Sequence, residues 1–197
     1  MTADTRADIG VQQLPFCAVV LAGGRAARLD GVDKASIEIG GRTLLAWSLD
    51  AVVDAAEVVV VGEPVPTDRA VTFTRESPRY GGPVAALLTG VDALLRTTPA
   101  VAVIAVDMPH LTPLTLRRLR QAAVGHDGSA LVDHDGRRQL AMVLTTDAIA
   151  RVRPDHEAQH DLALHRFLTG LDLVGVPTAG SEHRDVDTWR DLRDLRT

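Results

Sequence analysis

Six consecutive apolar residues, Val101 to Val106, run straight into Asp107-Met108-Pro109. So short and uniformly apolar a run suits a strand covered on both faces. Phe16 to Leu21, FCAVVL, and Glu57 to Val61, EVVVV, are of the same kind. Segments with helical spacing fall between and after these runs. That alternation requires an α/β fold around a mostly parallel central sheet.

Several helices and lesser strands follow from spacing and punctuation. Thr43 is placed to cap a helix with Leu45, Leu49, Val52 and Val53 on its inner face. Gly81-Gly82-Pro83 introduces another, with Val84, Leu87, Leu88, Val91, Leu94 and Leu95 as its stripe, and proline fits its first turn. Thr112-Pro113 starts a third, through Leu119 to Ala123, and Asp161 to Leu168 predicts a fourth. Val186, Trp189, Leu192 and Leu195 share one side of a C-terminal helix. Ala35 to Ile39, Val71 to Thr74, Ser129 to Val132, Leu140 to Leu144 and Leu171 to Val176 read as extended.

The chain has 197 residues, of which 46% are hydrophobic and 3% aromatic, so one aliphatic core is expected. Residues 1–15 are polar and read as a flexible N-terminal tail without a signal-peptide core, leaving 16–197 as a single domain. No stretch approaches the ~18 apolar residues of a membrane span. A net charge of -5 argues against a broad nucleic-acid surface. The single cysteine, Cys17, lies inside the first strand and reads as a small buried hydrophobe. Together these point to a cytoplasmic protein with neither nucleic acid nor membrane as partner.

Ligands of open α/β sheets gather at the carboxyl ends of the strands. Two features lie there. The first is Leu21 to Lys34, LAGGRAARLDGVDK, where Gly23-Gly24 permits close backbone approach and Arg25, Arg28 and Lys34 supply positive charge for anionic oxygens. It matches neither the dinucleotide fingerprint nor a Walker A loop. The second is Asp107, which either holds Mg²⁺ alongside bound phosphates or accepts backbone hydrogen bonds in a turn. Asp185 and Asp187 form another acidic pair, one of which could complete a metal site with Asp107. The rival is that Asp187 or Thr188 caps the last helix. His156, His160 and His165 have no zinc spacing and read as a solvated face, and no GxSxG elbow supports a hydrolase.

These residues carry a resemblance. Leu21 to Gly41, LAGGRAARLDGVDKASIEIGG, is similar to the loop of the molybdenum cofactor guanylyltransferases, with Arg28, Asp33 and Lys34 at matching places. Gly81 to Val91, Val106 to Pro109 and Asp185 to Thr188 resemble later blocks of that family. The chain departs from it at Leu29-Asp30, where the family has Met-Gly, and at Val61-Gly62-Glu63, which lacks a base-contacting Asn. The resemblance implies a Rossmann-like, three-layer nucleotidyltransferase fold. It also implies that Leu21, Ala22, Gly23, Gly24, Lys34, Glu76 and Asp107 bind the nucleotide. Glu76 stands near the place of a family Asp. Arg28, Lys34 and Asp107 would then serve catalysis, and Asp107 with Asp187 the metal.

The reaction so implied is Mg²⁺-dependent transfer of GMP from GTP to the phosphate of molybdopterin cofactor. Molybdoenzymes or cofactor chaperones would be further partners. Cytidylyl transfer to molybdopterin, guanylyl transfer to phospholactate and a non-catalytic cofactor-binding chaperone are the competing readings. Arg137 and Arg138 are candidate contacts for the acceptor.

Overall fold

The structure is a computed structural model that describes residues 13–23, 33–77, 79–186, 188 and 191. Its main sheet contains β1 (Phe16–Leu21), β4 (Val58–Val61), β5 (Thr72–Thr74), β6 (Ala100–Ala105), β7 (Gly128–Val132), β8 (Arg138–Thr145) and β9 (Leu173–Pro177). The seven strands lie in the order β5-β4-β1-β6-β8-β7-β9. Within this sheet all pairings are parallel except the two made by β8. The carboxyl ends of the other six strands therefore share one edge, where β8 begins.

Pleating explains why β1, β4 and β6 are apolar throughout, since alternate side chains face opposite layers. Phe16, Ala18, Val20, Val58, Val60, Ala102 and Ile104 join one core cluster. That cluster is completed by α1 (Leu44–Ala51) and α3 (Pro113–Ala122), through Leu44, Leu45, Leu49, Leu116 and Leu119. Val19, Leu21, Val59, Val61, Val101 and Val103 face the other cluster. There α2 (Pro83–Asp92), α4 (Thr146–Val152) and α5 (Leu164–Phe167) contribute Val84, Leu87, Leu88, Ala148, Ile149 and Phe167. The result is the expected three-layer α/β sandwich. Among the described residues no helix is long and apolar enough to cross a membrane.

Local chemistry fixes the boundaries, sometimes against the periodicity. Thr43 caps α1 through the Ala46 amide, but the helix ends at Ala51, so Val53 falls beyond it and is 55% exposed. Likewise α2 ends at Asp92 and leaves Leu95 outside its buried stripe, 89% exposed. Residues 35–39 are not one extended piece. The Asp33 carboxylate accepts the Ala35 amide and starts a 3-10 turn over Lys34–Ser36. Only Glu38–Ile39 (β2) remains extended, paired antiparallel with Arg42–Thr43 (β3). Gly40 and Gly41, at φ 61° and 76°, make the two-residue turn that this hairpin requires.

The predicted helix over Asp161 to Leu168 is also shorter. Asp161 sits at φ 55° and donates its amide to the Gly81 carbonyl, so helical geometry begins only at Leu164. At the other end of the chain, Thr188 and Asp191 exchange side-chain-to-amide hydrogen bonds as a capping box. Residues 1–12 of the expected tail lie outside the described residues. Leu14 is anchored, packing on the core while its carbonyl accepts from Arg120 Nε at 2.9 Å.

Helix α2 crosses β1 and β4 closely because Gly90 faces them. A Cβ there would stand 2.3 Å from Val19 Cγ1 and 2.9 Å from Val61 Cγ2. Both valines are buried and stiff about χ1, so neither can turn aside cheaply. Gly90→Ala is expected to lower unfolding stability by about 2 kcal/mol despite the better helix propensity of alanine. Urea titration reads this; an unchanged midpoint would show that α2 can lift off the sheet freely.

Candidate active site

The carboxyl edge of the sheet brings two sequence features together. β1 ends at Leu21, and Ala22 follows it, both buried, before exposed Gly23. The amides of Ala22 and Gly23 both donate to the Val61 carbonyl, at 2.9 and 2.8 Å. The Gly23 N–H is therefore committed to the end of β4 rather than turned toward a ligand. Gly24, Arg28 and Asp30 lie outside the described residues. The loop returns at Asp33, where the capped turn and fully buried Ala35 fix the backbone that carries Lys34.

From that fixed point Lys34 reaches the end of β6. Its Nζ stands 2.8 Å from Asp107 Oδ2, and each side chain is 21% exposed. Val106 donates to the Leu21 carbonyl at 3.0 Å, which ties the two strand ends together. On the other side of Asp107, its carbonyl accepts the Val186 amide at 2.8 Å. The segment carrying Asp185 therefore runs directly beside it. Asp187, the other proposed metal ligand, lies outside the described residues. Among those described, no three His, Cys, Asp or Glu side chains form a metal cage.

Acidic groups occupy the β4–β5 side of this edge. Burial raises the Asp33 carboxyl above its ordinary range; the Ala35 amide opposes this and neighbouring Glu63 adds to it. Glu63 is itself held by Arg75 at 2.8 Å. Glu76 follows β5 and accepts the Tyr80 amide at 3.0 Å, with Tyr80 in the left-handed region at φ 60°. Burial raises the Glu76 carboxyl too, against the lowering effects of the Gly82 and Tyr80 amides and of His160. Glu76 thus fastens the turn that leads into α2.

The β7–β9 side differs in character. Arg137 and Arg138 are exposed in the turn and start of β8. His134 meets the His183 ring edge-on at 6.0 Å between centroids. His110 Nε2 and His183 Nδ1 are buried with no hydrogen-bond partner among the described residues. Burial first, then Arg184 and His183, push the His110 imidazole below its usual pKa, which keeps it neutral at pH 7. Glu182 pins the preceding loop: its carboxylate accepts from Thr115 Oγ1 at 2.6 Å, the Ala179 amide at 2.7 Å and Arg118 at 2.9 Å.

His110, Glu182 and His183 had no motif to announce them. Their only sequence signal was proximity, His110 just after Asp107 and Glu182-His183 just before Asp185. His156, His160 and His165 are exposed, in keeping with a solvated face.

A three-layer α/β sheet whose first strand feeds a basic loop, with a lysine from that loop clasping the aspartate at a neighbouring strand end, is the frame of a nucleotidyltransferase. The chain belongs to the MobA-like NTP transferase family, whose model matches residues 18–174. Among curated relatives, a probable molybdenum cofactor guanylyltransferase of Mycobacterium tuberculosis is 35% identical over 74% of this chain and 76% of its own length. One from Natronomonas pharaonis is 30% identical over 90% and 95%. A molybdenum cofactor guanylyltransferase of Burkholderia orbicola is 31% identical over 87% and 79%.

Solved structures share the fold at lower identity. Molybdopterin-guanine dinucleotide biosynthesis protein A of Archaeoglobus fulgidus superposes with a TM-score of 0.70 at 19% identity, covering 91% of this chain and 96% of that one. A Mycobacterium tuberculosis protein in complex with manganese gives 0.70 at 18%, covering 93% and 98%.

Proposed function

We propose that the protein transfers GMP from GTP to the phosphate of molybdopterin cofactor and releases pyrophosphate. The observation that carries this reading is the Lys34–Asp107 contact, an ammonium and a carboxylate 2.8 Å apart beside the ends of β1 and β6, which we assign to the phosphates and the metal respectively. An acceptor phosphate oxygen attacks the α-phosphorus, a new P–O bond forms, and the bond to the β-phosphate bridging oxygen breaks. The electron pair leaves with pyrophosphate. No general base is needed, because a phosphate monoester is already ionised near neutral pH.

The residues divide this work. Lys34 neutralises oxygens of the triphosphate as a mobile point charge. Leu21, Ala22 and Gly23 form the floor under the nucleotide, with Arg28 and the Gly24 amide completing the grip. Glu76 shapes the turn on the nucleoside side. Asp107 would hold Mg²⁺, and its part-exposed carboxylate is the hard oxygen donor that ion takes; Asp187 is the proposed second ligand. A bound Mg²⁺ supplies charge stabilisation on phosphoryl oxygens. Arg137 and Arg138 offer the acceptor its counter-charges.

The base is the finer question, since Val61-Gly62-Glu63 offers no amide side chain. Incubation with molybdopterin, Mg²⁺ and each of the four nucleoside triphosphates, followed as pyrophosphate release, tests both points. GTP is expected to be the preferred donor. Preference for CTP would transfer the reading to cytidylyl transfer. Nucleotide binding without turnover, beside stable association with a molybdoenzyme, would make the protein a cofactor carrier instead.

A further inference from the structure

The two groups that the proposed reaction needs are, in the chain itself, each other's partners. Asp107 would receive a divalent cation and Lys34 the phosphates, yet Lys34 Nζ lies 2.8 Å from Asp107 Oδ2. Resting on the nucleotide reading above, we propose that the Lys34 ammonium guards Asp107 against free divalent cations. Only a nucleotide's phosphates draw it away, so metal and nucleotide load as a unit.

Three physical features support the guard. An ionised carboxylate only accepts, and the ammonium already occupies one of the two Asp107 oxygens, Oδ2. A divalent cation entering beside a retained ammonium meets like charge, and partial burial of both side chains weakens the screening that water and salt would provide. The release route is also built in. The capped turn and buried Ala35 fix the Lys34 backbone, and the unbranched four-carbon stem of a lysine lets its ammonium pass from one anionic oxygen to another. Phosphate oxygens offer that ammonium a charge-assisted replacement for the carboxylate. A free metal ion offers it none.

Linkage makes the proposal measurable, because the factor by which nucleotide raises metal affinity must equal the factor by which metal raises nucleotide affinity. The test is Mn²⁺ binding, read from the electron paramagnetic resonance signal of free Mn²⁺. Wild type, Lys34→Met and Lys34→Arg are compared with and without a GTP analogue bearing a methylene bridge between the α and β phosphorus atoms. Wild type is expected to bind Mn²⁺ alone at least about ten-fold more weakly than with the analogue, the effect of a part-buried ion pair. Lys34→Met should bind Mn²⁺ alone about ten-fold more tightly than wild type, with the coupling reduced by about the same factor. Lys34→Arg keeps the cation, so its metal-only affinity should stay as weak as that of wild type.

Where the analogue binds, equal Mn²⁺ affinity in wild type with and without it would overturn the guard. So would an unchanged metal-only affinity in Lys34→Met. The two readings fail separately. If the analogue binds no variant but Lys34→Met still gains Mn²⁺ affinity, the guard stands and the nucleotide assignment falls. If the analogue binds with Mn²⁺ and residue 34 has no influence on metal alone, the reverse holds.

Discussion

Asp107→Asn is expected to lower turnover on the order of a thousand-fold while changing stability by less than about 1 kcal/mol. Asparagine keeps the volume and one carbonyl oxygen, and the backbone bond from Val186 to residue 107 does not depend on the side chain. What disappears is the negative charge. Without it, Lys34 loses its carboxylate partner and a divalent cation loses the anionic oxygen proposed to hold it. Pyrophosphate release under saturating GTP and molybdopterin, beside urea unfolding of the same preparation, measures both halves. Turnover within ten-fold of wild type would remove Asp107 from the chemistry. A large loss of stability would make it a structural residue instead.

Glu182→Ala is expected to cost about 3 kcal/mol, for a reason the active site does not reveal. Its carboxylate is buried and satisfies the Thr115 hydroxyl, the Ala179 amide and Arg118 together. Removing it leaves a threonine hydroxyl and a part-buried guanidinium without that partner. The damage should extend to function, because the loop pinned by Glu182 leads directly to His183, Asp185 and the Val186 bond. Hydrogen exchange at the Val186 amide should quicken along with the fall in urea midpoint. Glu182→Gln retains an acceptor for Thr115 and should lose less. Equal losses in both variants would show that charge pairing with Arg118, rather than the hydrogen bonds, holds the loop.

The central strands were legible in the sequence because burial on both faces leaves no alternative to an apolar run. β1 spans Phe16–Leu21 as read, β4 starts one residue later than its reading, and β6 is shifted by one residue at both ends. Helix ends were less legible. Val53 and Leu95 continued an apolar pattern past the point where the backbone had left the helix, and hydrophobicity alone carries no stop signal there. Ala35 and Ser36 were misread as extended with Ile37 and Ile39 because Asp33 caps a turn over Lys34–Ser36 before the extended geometry begins.

Asp107 and Lys34 were each visible as candidates from the ends of strands and from resemblance. Their contact was not, since it joins residues 73 apart through no periodic element. The same blindness hid Glu182, whose partners Thr115 and Arg118 lie 67 and 64 residues away. Long-range polar contacts between loops are set by topology, which local patterns do not encode.

The bond from Val186 to Asp107 has a consequence in time. A chain leaves the ribosome from its N-terminal end, so the strands that come first are available to pair before the rest is made. β1, β4 and β6 can meet, and Lys34 can find Asp107, while residue 186 is still in the exit tunnel. The brace on the far side of Asp107 cannot form until later. A nascent chain therefore holds its scaffold before it holds a finished corner for handling cations, and synthesis itself sets the order in which the two arrive.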